Sequence, residues 1–231
     1  MKIDRLLAKK STPFPLSHDR EPDAPLVIIV DDDRSIREGL TDLIESVGLW
    51  PACFASTQEL LEADVLDKPG CLILDVRMPG TSGLDLQLYL QENANPKPII
   101  FLTGHGDIPM TVQAMKAGAV DFLTKPVRDQ TLLDAVIAAI AIDSTRRASA
   151  EIARRNIDRF KLLTAREREV LAEVARGRVN KQIAFDLGIG EVTVKLHRSN
   201  VMRKMKVASI GELIRAWETL PAQLRESGKT P

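Results

Sequence analysis

The chain has 231 residues, 44% of them hydrophobic, and a formal net charge of zero, which suits one large domain or two small ones. No apolar run approaches the ~18 residues that span a bilayer, and the charged start Met1-Lys2-Ile3-Asp4-Arg5 is unlike a secretory signal, so a cytoplasmic protein with no membrane partner is expected. The neutrality hides a division: residues 1–145 carry 13 Lys/Arg against 22 Asp/Glu, a balance of −9, and residues 146–231 carry 19 against 10, a balance of +9. An acidic half joined to a basic half implies two domains with different partners, the basic one suited to nucleic acid unless its charges are merely solvated.

Residues 1–24, with Pro13, Pro15 and Pro22 among charges, read as a flexible extension. The apolar run Leu26-Val27-Ile28-Ile29-Val30 then ends in Asp31-Asp32-Asp33. Ile36, Leu40, Leu43, Ile44 and Val47 follow at helical spacing, closed by Gly48. A weaker strand, Trp50 to Phe54, leads to a short helix opened by Ser56 or Thr57. Cys71-Leu72-Ile73-Leu74 ends in Asp75, and Leu84, Leu86, Leu88 and Leu90 lie in the next helix. Ile99-Ile100-Phe101-Leu102 ends in Thr103, and a helix over Thr111–Ala117 stops at Gly118. A strand over 119–124 reaches Lys125-Pro126 before a helix from Asp129 to about Asp143. Cys53 and Cys71 have no Cys or His cluster around them and read as reduced thiols, with no disulfide or zinc site.

Five β/α units predict a parallel sheet covered by helices on both faces. Ligands of such sheets sit at the carboxyl ends of the strands, beside the topological switch point. Those ends carry acids, a hydroxyl and an ammonium. Mg²⁺ takes one or two carboxylates with phosphate oxygens and water. Asp32 and Asp75 can supply them, with Asp31 holding a coordinated water and a backbone carbonyl near Arg77 completing the set. Asp75 is then placed to attack phosphorus, with the Thr103 hydroxyl and the Lys125 ammonium on the phosphoryl oxygens. Each residue alone has a plainer reading: Asp31–Asp33 as a helix-capping cluster, Thr103 as a turn residue, Lys125 as a solvated lysine, Phe122 as core. His105 has no His or Cys partner and reads as a loop residue.

Residues 144–160, charged, Ala-rich and free of Gly and Pro, predict a solvated helical connector. Thr164-Ala165-Arg166-Glu167 is a capping box opening a helix to Arg176. A short helix over about Asn180–Leu187 ends in Gly188-Ile189-Gly190, a third runs over about Glu191–Lys206, and a fourth starts at Ser209-Ile210 and ends before Pro221. Helix, short helix, turn, helix is the helix-turn-helix order. Val194, Val201 and Met205 give the third helix an inward face, with Lys195, Arg198, Ser199 and Met202 on a neighbouring one.

Residues 25–143 resemble the receiver domain of two-component response regulators. The resemblance is carried by Asp31 and Asp32, by Asp75 followed by Met78-Pro79-Gly80 and Gly83, by Thr103-Gly104-His105-Gly106-Asp107 and by Lys125-Pro126. It implies a flavodoxin-like (βα)5 fold, Asp75 as phosphoacceptor with Thr103 and Lys125, and Mg²⁺ at Asp31, Asp32, Asp75 and the Arg77 carbonyl. It further implies switch residues Thr103 and Phe122 and a cis Lys125–Pro126 bond; Val127 stands where members often have Phe. Residues 161–226 resemble the LuxR-type helix-turn-helix of the NarL/FixJ class, on Leu163-Thr164-Ala165-Arg166-Glu167-Arg168-Glu169-Val170-Leu171, Gly177, Asn180-Lys181-Gln182-Ile183-Ala184 and Thr193-Val194-Lys195-Leu196-His197. That implies Lys195, Leu196 and Ser199 against bases, with Lys181, Thr193, His197 and Arg198 completing the DNA contacts. Gly190 stands where members often have a capping Ser.

Together the two resemblances imply a phosphorylation-activated, DNA-binding transcriptional regulator. Its expected partners are a sensor histidine kinase, double-stranded promoter DNA, a second copy of the chain after phosphorylation, and RNA polymerase. No enzymatic role is expected beyond the receiver's own phosphorylation and dephosphorylation. The competing reading is a haloacid-dehalogenase-like phosphatase, with Asp31 and Asp33 as its Asp-x-Asp pair; it leaves Asp75 without a task and lacks a later strand-borne acidic motif. A receiver acting without phosphate is a third reading, disfavoured by the complete acidic set.

Overall fold

The computed structural model describes residues 24–104 and 106–226. The extension expected over 1–24 lies outside the described residues except for Ala24, as does His105. The chain divides into two compact units, Met1–Arg146 and Arg147–Pro231.

In the first unit, strands β1 (Leu26–Val30), β2 (Trp50–Phe54), β3 (Gly70–Leu74), β4 (Ile99–Thr103) and β5 (Asp121–Thr124) alternate with helices α1 (Arg34–Ser46), α2 (Thr57–Glu62), α3 (Gly83–Glu92), α4 (Ile108–Lys116) and α5 (Asp129–Lys161). The strands form one parallel sheet in the order β2-β1-β3-β4-β5. Alternate residues of each strand point to opposite faces, so the sheet serves two cores. Leu26, Ile28 and Val30 join Leu86 and Leu90 of α3 and Ala114 of α4. Val27 and Ile29 join Leu40 and Ile44 of α1 and Leu132, Val136 and Ala139 of α5. β1, β3 and β4 are fully buried, which explains their unbroken apolar runs.

Side-chain caps open four of these helices: Asp33 for α1, Ser56 for α2, Ser82 for α3 and Asp107 for α4. The Asp107 cap starts α4 three residues before the expected Thr111. Pro109 lies in its first turn, where a missing N–H costs nothing because those donors are unpaired in any helix. At the other end of the sheet the buried Asp143 of α5 accepts a hydrogen bond from Gly70 N at 2.8 Å, and the buried Lys97 ammonium donates to Lys68 O at 2.6 Å.

The helix expected to end near Asp143 and the connector after it are one element, α5, of 33 residues. No Gly or Pro interrupts 129–161, so nothing stops the helix. Its last turns belong to the second core, formed with α6 (Ala165–Ala175), α7 (Asn180–Leu187), α8 (Glu191–Met205), α9 (Ile210–Glu218) and α10 (Ala222–Glu226). Phe160 is 1% exposed and lies 6.1 Å from the Trp217 ring, with the Arg168 guanidinium 5.1 Å from its centroid. Asn156 donates to Thr219 Oγ1 at 3.0 Å, and Arg159 donates to the Met205 carbonyl at 3.1 Å. The last turns of the connector are therefore packed rather than solvated. The expected capping box is present, with Thr164 and Glu167 exchanging hydrogen bonds across the start of α6. α10 was not expected; it begins directly after Pro221, which stops α9 and suits a new helix start.

Candidate functional site

β1 and β3 are neighbours, and the chain leaves them toward opposite sides of the sheet, so the switch point lies between their ends. Asp31 and Asp75 follow those two strands, and a carboxylate oxygen from each, with one from Asp32, lies within 4.8 Å of the others. Asp31 and Asp75 are buried and Asp32 is exposed. Such crowding of acids calls for a cation, and the oxygen-rich donor set suits a hard ion such as Mg²⁺.

Lys125, just beyond β5, reaches into the cluster. Its ammonium donates to Asp31 Oδ2 and to Asp75 Oδ2, the latter at 3.1 Å. The Lys125–Pro126 bond is cis, and Lys125 N donates to the Thr103 carbonyl at 2.8 Å, holding the two residues together. Thr103 itself is 1% exposed. Asp31 Oδ1 accepts from Asp33 N at 2.9 Å, so both Asp31 oxygens already have protein partners. Asp75 Oδ1 accepts from Arg77 N at 3.1 Å, curling the following loop over the carboxylate.

Burial raises the Asp31 pKa; Lys125 and the Asp33 N–H pull it back only in part, and the charge of Asp75 adds to the rise. Burial works against the Lys125 ammonium, but its hydrogen bonds to Asp31 and Asp75 prevail and its pKa is raised. A simple ion bridge would lower the acid while raising the base. The Lys125 direction reports the pairing; the Asp31 direction reports crowded, desolvated acids.

Three contributors around this site had no role assigned from sequence. A Cβ on Gly83 would lie 2.2 Å from the Asp75 carbonyl, so only glycine lets the α3 start approach so closely. Arg37 donates to the Asp31 carbonyl at 2.7 Å, pinning the β1 end to α1. A Cβ on Gly106 would lie 2.9 Å from Phe122, so the loop after β4 runs tight against that ring. Phe122 is half-buried, and its ring lies tilted at 41° to that of Phe101 with centroids 5.9 Å apart. The volume of a cleft is no guide to the chemistry here. One of about 700 Å³ is lined by Gln91, Pro96, Ile99, Val120 and Ile142, at the N-terminal ends of β4 and β5, away from the acids.

In the second unit α8 turns Val194, Val201 and Met205 into the core, as expected. The anticipated DNA contacts do not share one face. Lys181, Thr193, Lys195, Leu196 and Ser199 are exposed, whereas His197 and Arg198 are half-buried. Arg198 donates to Asn180 Oδ1 at 2.5 Å, tying α8 to the start of α7, and His197 Nδ1 is buried without a hydrogen-bond partner. Neither α7 nor α8 has a side-chain cap, since Val179 and Gly190 occupy those positions. Among the described residues no helix is long and apolar enough to cross a membrane.

The phosphatase reading built on Asp31 and Asp33 is overturned. Asp33 is spent as the α1 cap, accepting from Ser35 N at 2.8 Å, and is not a member of the acid cluster. Comparison with known proteins agrees. The family described as response regulator receiver domain matches residues 27–137, and that described as bacterial regulatory proteins, luxR family, matches residues 161–217. Nodulation protein W of Bradyrhizobium diazoefficiens is 49% identical over 205 residues, 89% of this chain and 90% of that protein. Response regulator protein TodT of Pseudomonas putida is 48% identical over 201 residues, covering 87% and 88%. The solved structure of response regulator StyR matches with a TM-score of 0.75 and 47% identity, covering 84% of this chain and 98% of that one. A chain joining these two halves is typically not a catalytic enzyme, and it works with a sensor kinase on one side and DNA on the other. With both families matched in order and relatives aligned along most of its length, this chain belongs to the response regulators of the NarL/FixJ class, phosphorylation-dependent transcriptional regulators.

Proposed function

We propose that Asp75 is the residue that receives the phosphoryl group, from a phosphohistidine of a sensor histidine kinase. One observation carries this reading: Asp75 stands at the switch point within 4.8 Å of Asp31 and Asp32, and its carboxylate accepts the Lys125 ammonium. In the transfer Asp75 Oδ bonds to phosphorus, the P–N bond breaks, and the pair it held returns to the imidazole. Mg²⁺, when bound, neutralises charge on the acids and on the phosphoryl oxygens. Asp32 and Asp75 would hold it directly, Asp31 would act through water, and the Arg77 carbonyl would complete the protein ligands. Lys125 then pairs with a phosphoryl oxygen, and the Thr103 hydroxyl donates to another. Thr103 moving toward the phosphoryl group vacates space for Phe122 to turn inward, and the surface over about 107–140 changes with it. The receiver's own phosphorylation and dephosphorylation are the only chemistry of this reading.

The domains of this reading are the receiver over 25–143, a helical linker over 144–160 and the DNA-binding domain over 161–226, after an extension over 1–24. Phosphorylation drives dimers that set two α8 helices on paired half-sites of promoter DNA, with RNA polymerase as the downstream partner and the cytoplasm as the location. Lys195, Leu196 and Ser199 face bases, and Lys181 and Thr193 serve the flanking backbone; Arg198 and His197 act mainly by seating α8. Incubation with Mg²⁺ and a small phospho-donor, followed by mass spectrometry, tests the assignment. Addition of one phosphoryl group is expected for the parent chain and none for Asp75→Ala; an unchanged level in the variant would sink it.

A further inference from the structure

The exposed side of α8 is more apolar than a helix reading DNA by hydrogen bonds requires. Val192 is 80% exposed and Leu196 60% exposed. Four residues apart, they are neighbours on one face of the helix. Single exposed apolar side chains are ordinary on any protein surface. These two lie in the first turns of the helix that enters the groove, where side chains meet base edges, with the exposed Lys195 beside them.

The polar alternatives on this face of α8 are few. Arg198 is the side chain best able to take guanine through two parallel hydrogen bonds, but its guanidinium is held by Asn180 at 2.5 Å. On the face that carries Val192 and Leu196, Lys195 and Ser199 remain as exposed polar readers, with Glu191 and Thr193 exposed to either side in the first turn. In the major groove the apolar mark on a base edge is the thymine 5-methyl group. Burying methyl against Val or Leu is favourable, and a cytosine or guanine edge in its place would lose a hydrogen-bonded water without compensation.

We propose that Val192 and Leu196 are specificity-determining residues that read thymine methyl groups at neighbouring positions of each half-site. This rests on the DNA-binding reading above, and adds Val192 as a base-facing residue and thymine as the mark it recognises.

The test begins with in vitro selection of the full-length chain, phosphorylated by a small phospho-donor with Mg²⁺, on a randomised duplex pool. Thymine is expected at two or more neighbouring positions of each enriched half-site. Replacing each such thymine with deoxyuridine removes only the methyl group. It should weaken binding about fourfold, the affinity equivalent of one buried methylene-sized group, while the dependence on salt stays the same. Val192→Ser and Leu196→Ser should each abolish the penalty for uracil at one position. Both side chains are exposed, so neither change threatens the core. Enriched sites without thymine, equal binding of the uracil duplex, or variants that keep the full methyl dependence would overturn the proposal; unchanged DNA affinity in both variants would overturn it and give the pair to a protein partner. Failure of the parent chain to enrich any sequence would sink the DNA-binding reading itself, and the pair with it.

Discussion

The two functional regions are built in opposite senses. The acid site faces inward: Asp31 and Asp75 are buried, and each is held by side-chain or backbone donors. The reading face of α8 points outward, with Lys195, Leu196 and Ser199 exposed while Val194, Val201 and Met205 anchor the helix from behind. A site that makes and breaks a bond to phosphorus gains from fixed charges in a drier setting, where electrostatic interactions are stronger. A helix that must enter and leave a groove keeps its polar groups solvated until DNA replaces the water. Inward sites couple function to stability, and outward ones separate the two.

That contrast can be broken experimentally. The largest effect is expected for Phe160→Ala, which removes a ring 1% exposed at the base of the reading helix's own core. About 3–5 kcal/mol of the second unit's stability should be lost in denaturant unfolding, without direct change to the reading face. Next, Gly83→Ala places a Cβ 2.2 Å from the Asp75 carbonyl. Overpacking of about 1–3 kcal/mol and slower phosphorylation by a small donor should appear together; stability lost without any change in rate would show that the inward site is less coupled than its packing implies.

Two of the basic residues of α8, Lys195 and Arg198, sharpen the comparison further. Lys195→Ala should weaken DNA binding by about 1–3 kcal/mol with thermal stability within about 0.5 kcal/mol of the parent. Arg198→Ala should do the reverse at first sight, costing about 1.5–3 kcal/mol of stability through the lost bond to Asn180. Similar melting curves for the two variants would erase the distinction between reader and anchor. The smallest effect concerns pH. Burial opposes ionisation of Glu167, but hydrogen bonds from Lys204, at 2.6 Å, and from Thr164 N outweigh it and lower its pKa. Its contribution is therefore present above the ordinary glutamate value of about 4.3 and is lost as pH falls through the lower folded value. A melting temperature of the second unit that declines over this range in the parent, and less so in Glu167→Gln, is the expected result.

The inward site was readable because its residues end the strands. Apolar runs ending in Asp31, Asp75, Thr103 and Lys125 announce both the sheet and the edge where ligands gather. Polar residues at such ends are few, so each stands out. What escaped reading depends on contacts between distant positions. Arg37 on the Asp31 carbonyl and Asn180 on Arg198 are ordinary helix residues until folding brings them to their partners. Phe160 looked like part of a charged connector because its neighbours Arg159 and Lys161 are polar and one ring makes no periodic pattern. The sequence pattern places the start of α4 three residues late because Pro109 reads as a helix breaker unless the Asp107 cap before it is recognised.

The burial of Phe160 bears on where the chain can be cut. The luxR family match begins at residue 161, an inviting place to separate the DNA-binding half for study. A fragment starting there would carry the recognition helix but lack the ring beneath Trp217, together with the Asn156 and Arg159 ties to Thr219 and Met205. A protease that respects packing would cut upstream of Asn156, and a recombinant fragment meant to fold alone should begin there too. The practical border of the DNA-binding half lies inside the last turns of a helix that also supplies core residues to the receiver.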